Sequence, residues 1–184
     1  MAGENNSMNF SRLEQHMMDT IEEQQLKLGY LPETVRLYYP LTSLNRFLEV
    51  NVSITEMQEI LRMFRKCTAD TLGGVLVSNQ GERFCLAVPP SGAKHIHEQM
   101  KANCFLADLI ACVSNHGNTW QQVLSVFQKH SDRVHVERVN NGEFDYLVYF
   151  EEGMPDNYRY CIVDEGHHVT YHRYTPEDYE DFGF

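Results

Sequence analysis

An α+β fold is predicted for this chain of 184 residues, with a helical N-terminal part and central helices packed on an antiparallel sheet. Three observations predict it. Apolar residues recur at helical spacing through the first third and again between positions 91 and 130. From Val134 onward the period changes to two, in four short runs separated by turn-forming residues. Between these regions, Gly73 and Gly74 introduce two β-rich runs around a polar turn, a hairpin over 74–88. With 42% apolar and 11% aromatic residues, the chain is long enough for one well-formed core, so a single domain over 1–184 is expected. Its polar start, residues 1–8, is expected to be disordered.

The elements follow in order. A helix over 11–28 is read from Phe10, Leu13, Met17, Ile21 and Leu28, with Ser11 and Glu14 offering a capping box and Gly29 a stop. Pro32 and Pro40 bracket a short helical piece, and Leu44, Phe47 and Leu48 suggest another after it. Ser53 and Glu56 form a second capping box, Val52 and Met57 are spaced for a hydrophobic staple, and Met57, Ile60, Leu61 and Phe64 line a buried face. After the hairpin, two helical pieces between Ser91 and His116 are expected, with Ser91 as N-cap. A third runs over 119–130, capped by Thr119 and Gln122, with Trp120, Val123, Leu124 and Phe127 on one face. Runs at 134–139, 144–150, 158–164 and 168–174 read as an antiparallel meander. "TPED" at 175–178 then starts a last short helix with Thr as N-cap and Pro at its first position.

Composition narrows the function classes. The net charge of -11 argues against a nucleic-acid partner, which must be met with Lys and Arg. From Asn140 onward, 11 acidic residues face 2 basic ones, so a basic protein surface or a small ligand is the natural guest there. The start lacks a secretory signal, and the longest apolar run, Phe105 to Val113, is about half of a bilayer span, so a cytoplasmic protein with no membrane partner is expected. Five cysteines (Cys67, Cys85, Cys104, Cys112, Cys161), odd in number and without a C-x-x-C pair, read as buried thiols.

No motif calls for a cofactor, and no constellation specifies a catalytic or metal-binding set. "PPSGAK" (89–94) lacks the glycine spacing of a phosphate loop. "HIHE" (95–98), if helical, turns His95 and His97 to opposite sides. "DEGHHVTYHRY" (164–174) is richer. Within a strand, His168 and His172 share a face but stand about 13 Å apart, too far to ligate one ion directly. A metal-assisted hydrolase is the alternative reading, and it requires at least three of His135, Asp164, His168 and His172 to converge in one coordination sphere. The preferred reading is a binding module, leaning away from an enzyme. Seven of ten tyrosines (146, 149, 158, 160, 171, 174, 179) lie in the acidic last third, and tyrosine brings large contact area at low entropy cost. Tyr160, His168, His172 and Tyr174 are the candidate binding residues, and pairing of an edge strand or the tail with another copy makes self-association a third possibility.

"VRLYYPLTSLNRFL" (35–48), together with a helical front and a Tyr-rich β end in a chain of about this length, resembles a family of uncharacterised bacterial proteins. The resemblance covers most of the chain and implies a soluble bacterial protein with no assigned activity, so it carries no functional residues over.

Overall fold

The structure, a computed structural model, describes residues 9–99, 104–139 and 141–181. The fold is α+β, and the chain divides into two compact units, residues 1–101 and 102–184. Residues 1–8 lie outside the described residues.

In the first unit, α1 (Ser11–Leu28) buries Leu13, Met17 and Ile21 on one stripe and ends at Gly29, whose N–H donates to the Gln25 carbonyl. Its N-terminus differs from expectation. Ser11 is already helical and Phe10 holds the N-cap position without a side-chain bond, while Asn9 Oδ1 accepts from the Ser11 N–H at 3.0 Å and from the Ser11 hydroxyl at 2.6 Å. Glu14, the other half of the expected box, instead accepts from the Thr71 hydroxyl. Leu28 stands 73% exposed, beyond the buried stripe.

Val35–Pro40 is a strand, β1, where a helical piece was expected. Its residues alternate between faces and its backbone pairs antiparallel with a strand about fifty residues on, a long-range pairing that overrides the local bracket of prolines. Pro40 closes the strand, and α2 (Leu41–Phe47) follows. α3 (Ile54–Cys67) carries the full capping box at Ser53 and Glu56, and buries Met57, Ile60, Leu61 and Phe64 as its spacing predicts. After the single turn of α4 (Ala69–Leu72), Gly73 adopts the left-handed conformation. β2 (Leu76–Gln80) and β3 (Arg83–Val88) form the hairpin, and the sheet order is β1-β3-β2. α5 (Pro90–Gln99) begins at Pro90, so Ser91 sits inside its first turn and is not its cap. Tyr39, Phe84, Leu86 and Val88 from the sheet join Leu13, Met17, Leu44, Met57 and Phe64 in one core. Each large side chain fully buried there contributes about 1.5–3 kcal/mol.

In the second unit, α6 (Cys104–Val113) and α7 (Trp120–His130) lie on one face of a four-stranded antiparallel meander: β4 (Val134–Arg138), β5 (Tyr146–Phe150), β6 (Arg159–Asp164) and β7 (Val169–Tyr174). The hairpin and the meander thus belong to two sheets. Phe105, Leu109, Trp120, Val123 and Phe127 from the helices meet Val148, Phe150, Tyr160, Ile162 and Val169 from the strands. Thr119 and Gln122 form the predicted capping box, and Trp120 stacks on Tyr146 with ring centroids 4.2 Å apart. α8 (Pro176–Asp181) is started by Thr175, whose hydroxyl oxygen accepts from the Asp178 N–H at 3.1 Å.

The thiols are less uniform than expected. Cys161 is buried, Cys85 and Cys112 are intermediate and Cys67 is exposed. Cys67 is the last residue of α3, off the stripe that faces the core. Among the described residues no helix is long and apolar enough to cross a membrane.

Candidate binding face

Opposed residues of an antiparallel pair project to the same side, so the register of the meander assigns every side chain to a face. Tyr146, Val148, Tyr160, Ile162, Tyr171 and Arg173 point toward the helices. On the opposite, outer face, His135 pairs with Tyr149 and Arg159 with Tyr174. These two pairs join into one row across the sheet: the His135 ring stacks on Tyr149 at 4.5 Å, and the Arg159 guanidinium lies over the same ring at 3.9 Å. A second row runs Glu137, Leu147, Cys161, His172.

A small apolar cluster sits on this outer face. Phe144, Leu147 and Cys161 are buried beneath Val139, Tyr149, Val163, Tyr174 and Tyr179. Tyr179 comes from α8, which turns it onto the Phe144 ring, with centroids 6.3 Å apart. Burial, then the nearby Cys161 and Glu143, holds the Tyr174 hydroxyl above its ordinary pKa. Burial, Cys161 and Glu137 do the same for Tyr179, against Arg159. Each half-buried phenol therefore feels a carboxylate charge, Glu143 at Tyr174 and Glu137 at Tyr179. Cys161 beneath them is pushed up to about 12 by burial and is not a reactive thiol.

The four candidate residues do not form one cluster. Tyr174 and His172 share the outer face, with His172 exposed. Tyr160 is on the other face and fully buried, edge-on to Phe105 and Phe127, which withdraws it from any contact surface. Its hydroxyl donates to Asp156 Oδ2 at 2.5 Å, and burial, with Asp156, holds its pKa well above the usual value. His168 lies in the tight turn that opens β7, its carbonyl accepting from the Glu165 N–H at 3.0 Å, and its Nδ1 is buried without a hydrogen-bond partner. Of the seven tyrosines, Tyr146, Tyr160 and Tyr171 belong to the inner core and Tyr158 stacks under Arg173. Tyr149, Tyr174 and Tyr179 remain for the outer face.

The hydrolase set does not converge. His135 and His172 lie on the two edge strands, separated by β5 and β6, about 14 Å at ordinary strand spacing. Asp164 caps its own turn, Oδ1 accepting from the Gly166 N–H at 2.9 Å. Among the described residues no group of three or more His, Cys, Asp or Glu side chains is placed to hold an ion. In the first unit, the His-x-His stretch is helical as expected, and His97 stacks on Tyr30 at 4.4 Å. Tyr149 and Tyr179 are among the seven tyrosines read as a contact surface but not among the four candidate residues, and Glu137 escaped sequence reasoning, although alternation from His135 could have found it.

No curated protein and no solved structure matches the chain. A family model does, over residues 10–183, nearly all of the sequence and inclusive of both units. The chain belongs to the family described as "Domain of unknown function, E. rectale Gene description (DUF3877)".

Proposed function

We propose that this protein is a non-enzymatic binding module whose outer C-terminal sheet face receives a basic segment of a protein partner. The observation that carries the reading is the pair of half-buried phenols, Tyr174 and Tyr179, over an apolar floor, with Glu137 opposite Leu147 on the same face and the Glu143 charge acting on Tyr174. A guanidinium or ammonium group is attracted both by aromatic faces and by carboxylates. The first turn of α8, the helix that carries Tyr179, is itself acidic, with Glu177 and Asp178. His172, exposed next to Tyr174, extends the surface.

The test is titration of the ¹⁵N-labelled protein with the peptide Ac-Gly-Arg-Gly-Arg-Gly-Arg-NH2, with citrulline replacing arginine in the control. Shifts concentrated at Glu137, Glu143, His172 to Tyr174 and Tyr179 are expected, with affinity falling at least about tenfold in the double variant Glu137→Gln/Glu143→Gln, which removes both carboxylates. Shifts spread evenly over other exposed acids such as Glu151 and Glu152, unchanged in that variant, would overturn the reading.

A further inference from the structure

Beyond that reading, and in the other unit, the structure carries a second recognition element. β2 is an edge strand of the first sheet. Between it and α3 lies a groove of about 250 Å3 lined by Gln58, Arg62, Arg65, Val77 and Asn79. Gln58, Arg62 and Arg65 fall at helical spacing on one stripe of α3, and Gln58 Nε2 donates to Asn79 Oδ1 at 2.7 Å, tying helix to strand along the groove. Arg62 is paired with Glu59, one turn back on the same helix. Arg65 is exposed and has no hydrogen-bond or ion-pair partner among the described residues. Two guanidinium groups beside an open strand edge are unexpected in a chain of net charge -11.

The register shows what the edge offers. Gln80 and Arg83 close the hairpin around the turn Gly81–Glu82, and a β-turn of this kind bonds the carbonyl of its first residue to the N–H of its fourth. Bonded and non-bonded pairs alternate along an antiparallel ladder. The Gln80–Arg83, Ser78–Cys85 and Leu76–Ala87 pairs are therefore the bonded ones. Val77 and Asn79 direct their backbone N–H and C=O away from β3, along the open edge, while their side chains line the groove beside it. Backbone donors and acceptors at the edge thus adjoin a groove with Val77 on the strand side and guanidinium groups on the helix side.

We infer that this groove binds an extended acidic peptide segment as a fourth strand alongside β2, with alternate carboxylates on Arg62 and Arg65. The spacing fits. Side chains three apart on a helix have Cβ atoms about 5–6 Å apart, and residues two apart in a strand project to one side about 6.6 Å apart. The recognised pattern is acid-x-acid, without proline at the residue that pairs with the edge. The chemistry is that of strand addition, in which backbone hydrogen bonds supply affinity and alternate side chains supply specificity.

The experiment is selection of phage-displayed random nonapeptides on the full chain, with counter-selection on Arg62→Glu/Arg65→Glu, whose side chains are exposed and whose charge reversal leaves the core untouched. Enrichment of acid-x-acid peptides is expected. Their affinity should fall at least about tenfold in the variant, and the Val77 and Asn79 amides should gain protection from hydrogen exchange on binding. No enrichment, enriched peptides without paired acids, or binding that persists in the variant would overturn the inference. Equal competition by inorganic phosphate, without protection at Val77 and Asn79, would reduce the groove to a plain anion site and overturn strand addition.

Discussion

The side-chain amide of Asn118 holds both backbone polar groups of Val169. Its Oδ1 accepts from the Val169 N–H at 2.7 Å and its Nδ2 donates to the Val169 carbonyl at 3.0 Å, across 51 residues of sequence. Asn118 is 3% exposed, so it acts as a buried extension of the sheet, and it fixes where β7 begins. That start sets the register that places Tyr174 and His172 on the outer face. Asn118→Ala leaves a buried N–H and a buried carbonyl without partners, and each costs about 1–3 kcal/mol. A loss of about 2–5 kcal/mol in urea unfolding is expected, with Asn118→Asp recovering part of it through the retained acceptor. A loss under about 0.5 kcal/mol would show that the β7 edge is anchored elsewhere.

Gly92 performs the matching task in the first unit. A Cβ built on it would lie 2.2 Å from the Leu72 carbonyl oxygen, a backbone atom that cannot rotate away. Across from it Gly73 has φ +70, and a Cβ built there would lie 2.6 Å from the Ser91 Oγ and 2.7 Å from the Gly92 nitrogen. This explains the glycine in "PPSGAK" without a phosphate: it lets α5 touch the end of α4. Gly92→Ala should cost about 3 kcal/mol or more by forcing these segments apart. Gly81→Ala, at an open turn, should cost less, through its positive φ alone. Thermal unfolding of both variants orders the two effects.

Much of this fold was legible because local chemistry and tertiary structure agree. The Ser53–Glu56 and Thr119–Gln122 boxes and the 57-60-61-64 stripe require only neighbours in sequence, and they appear as spacing predicts. The strand at 35–40 was not legible, since its partner β3 lies far along the chain and its flanking prolines speak for something shorter. Which face each tyrosine takes was not legible for a different reason. Alternation orders residues within a strand, but only the register, Arg159 opposite Tyr174, reveals that Tyr160 and Tyr174 point to opposite sides. One residue of offset separates a surface tyrosine from a core one.

Thiol reactivity follows burial. In a Cys104→Ser background, Cys67 should react first with Ellman's reagent at pH 8, Cys85 and Cys112 more slowly, and Cys161 only on unfolding, since burial pushes its pKa up to about 12. Burial also raises Cys112. Mass spectrometry of partly labelled protein gives the order. Early labelling of Cys161 would mean that the cluster under Tyr174 and Tyr179 opens readily.

Tyr160 gives stability a defined dependence on alkaline pH. Its phenol is fully buried and donates to Asp156. Burial, then the Asp156 charge, raises its pKa well above the ordinary 10.0, with Arg173 opposing. The folded state therefore holds this proton more tightly than the unfolded chain does. The stabilisation that follows is complete below about pH 10 and is lost as pH rises from there toward the folded-state pKa. Tyr174, Tyr179 and Cys161 are raised as well and slope the same way, so the wild-type curve alone cannot isolate Tyr160. Comparison with Tyr160→Phe can. At pH 7 the variant should lose about 1–3 kcal/mol, because the part-buried Asp156 carboxylate loses this donor. Above pH 10 the difference should shrink, since phenylalanine has no proton to release. A gap between the two proteins that stays constant from pH 7 to 11 would show that the Tyr160 phenol does not ionise on unfolding in that range, and its burial would then contribute through packing against Phe105 and Phe127 alone.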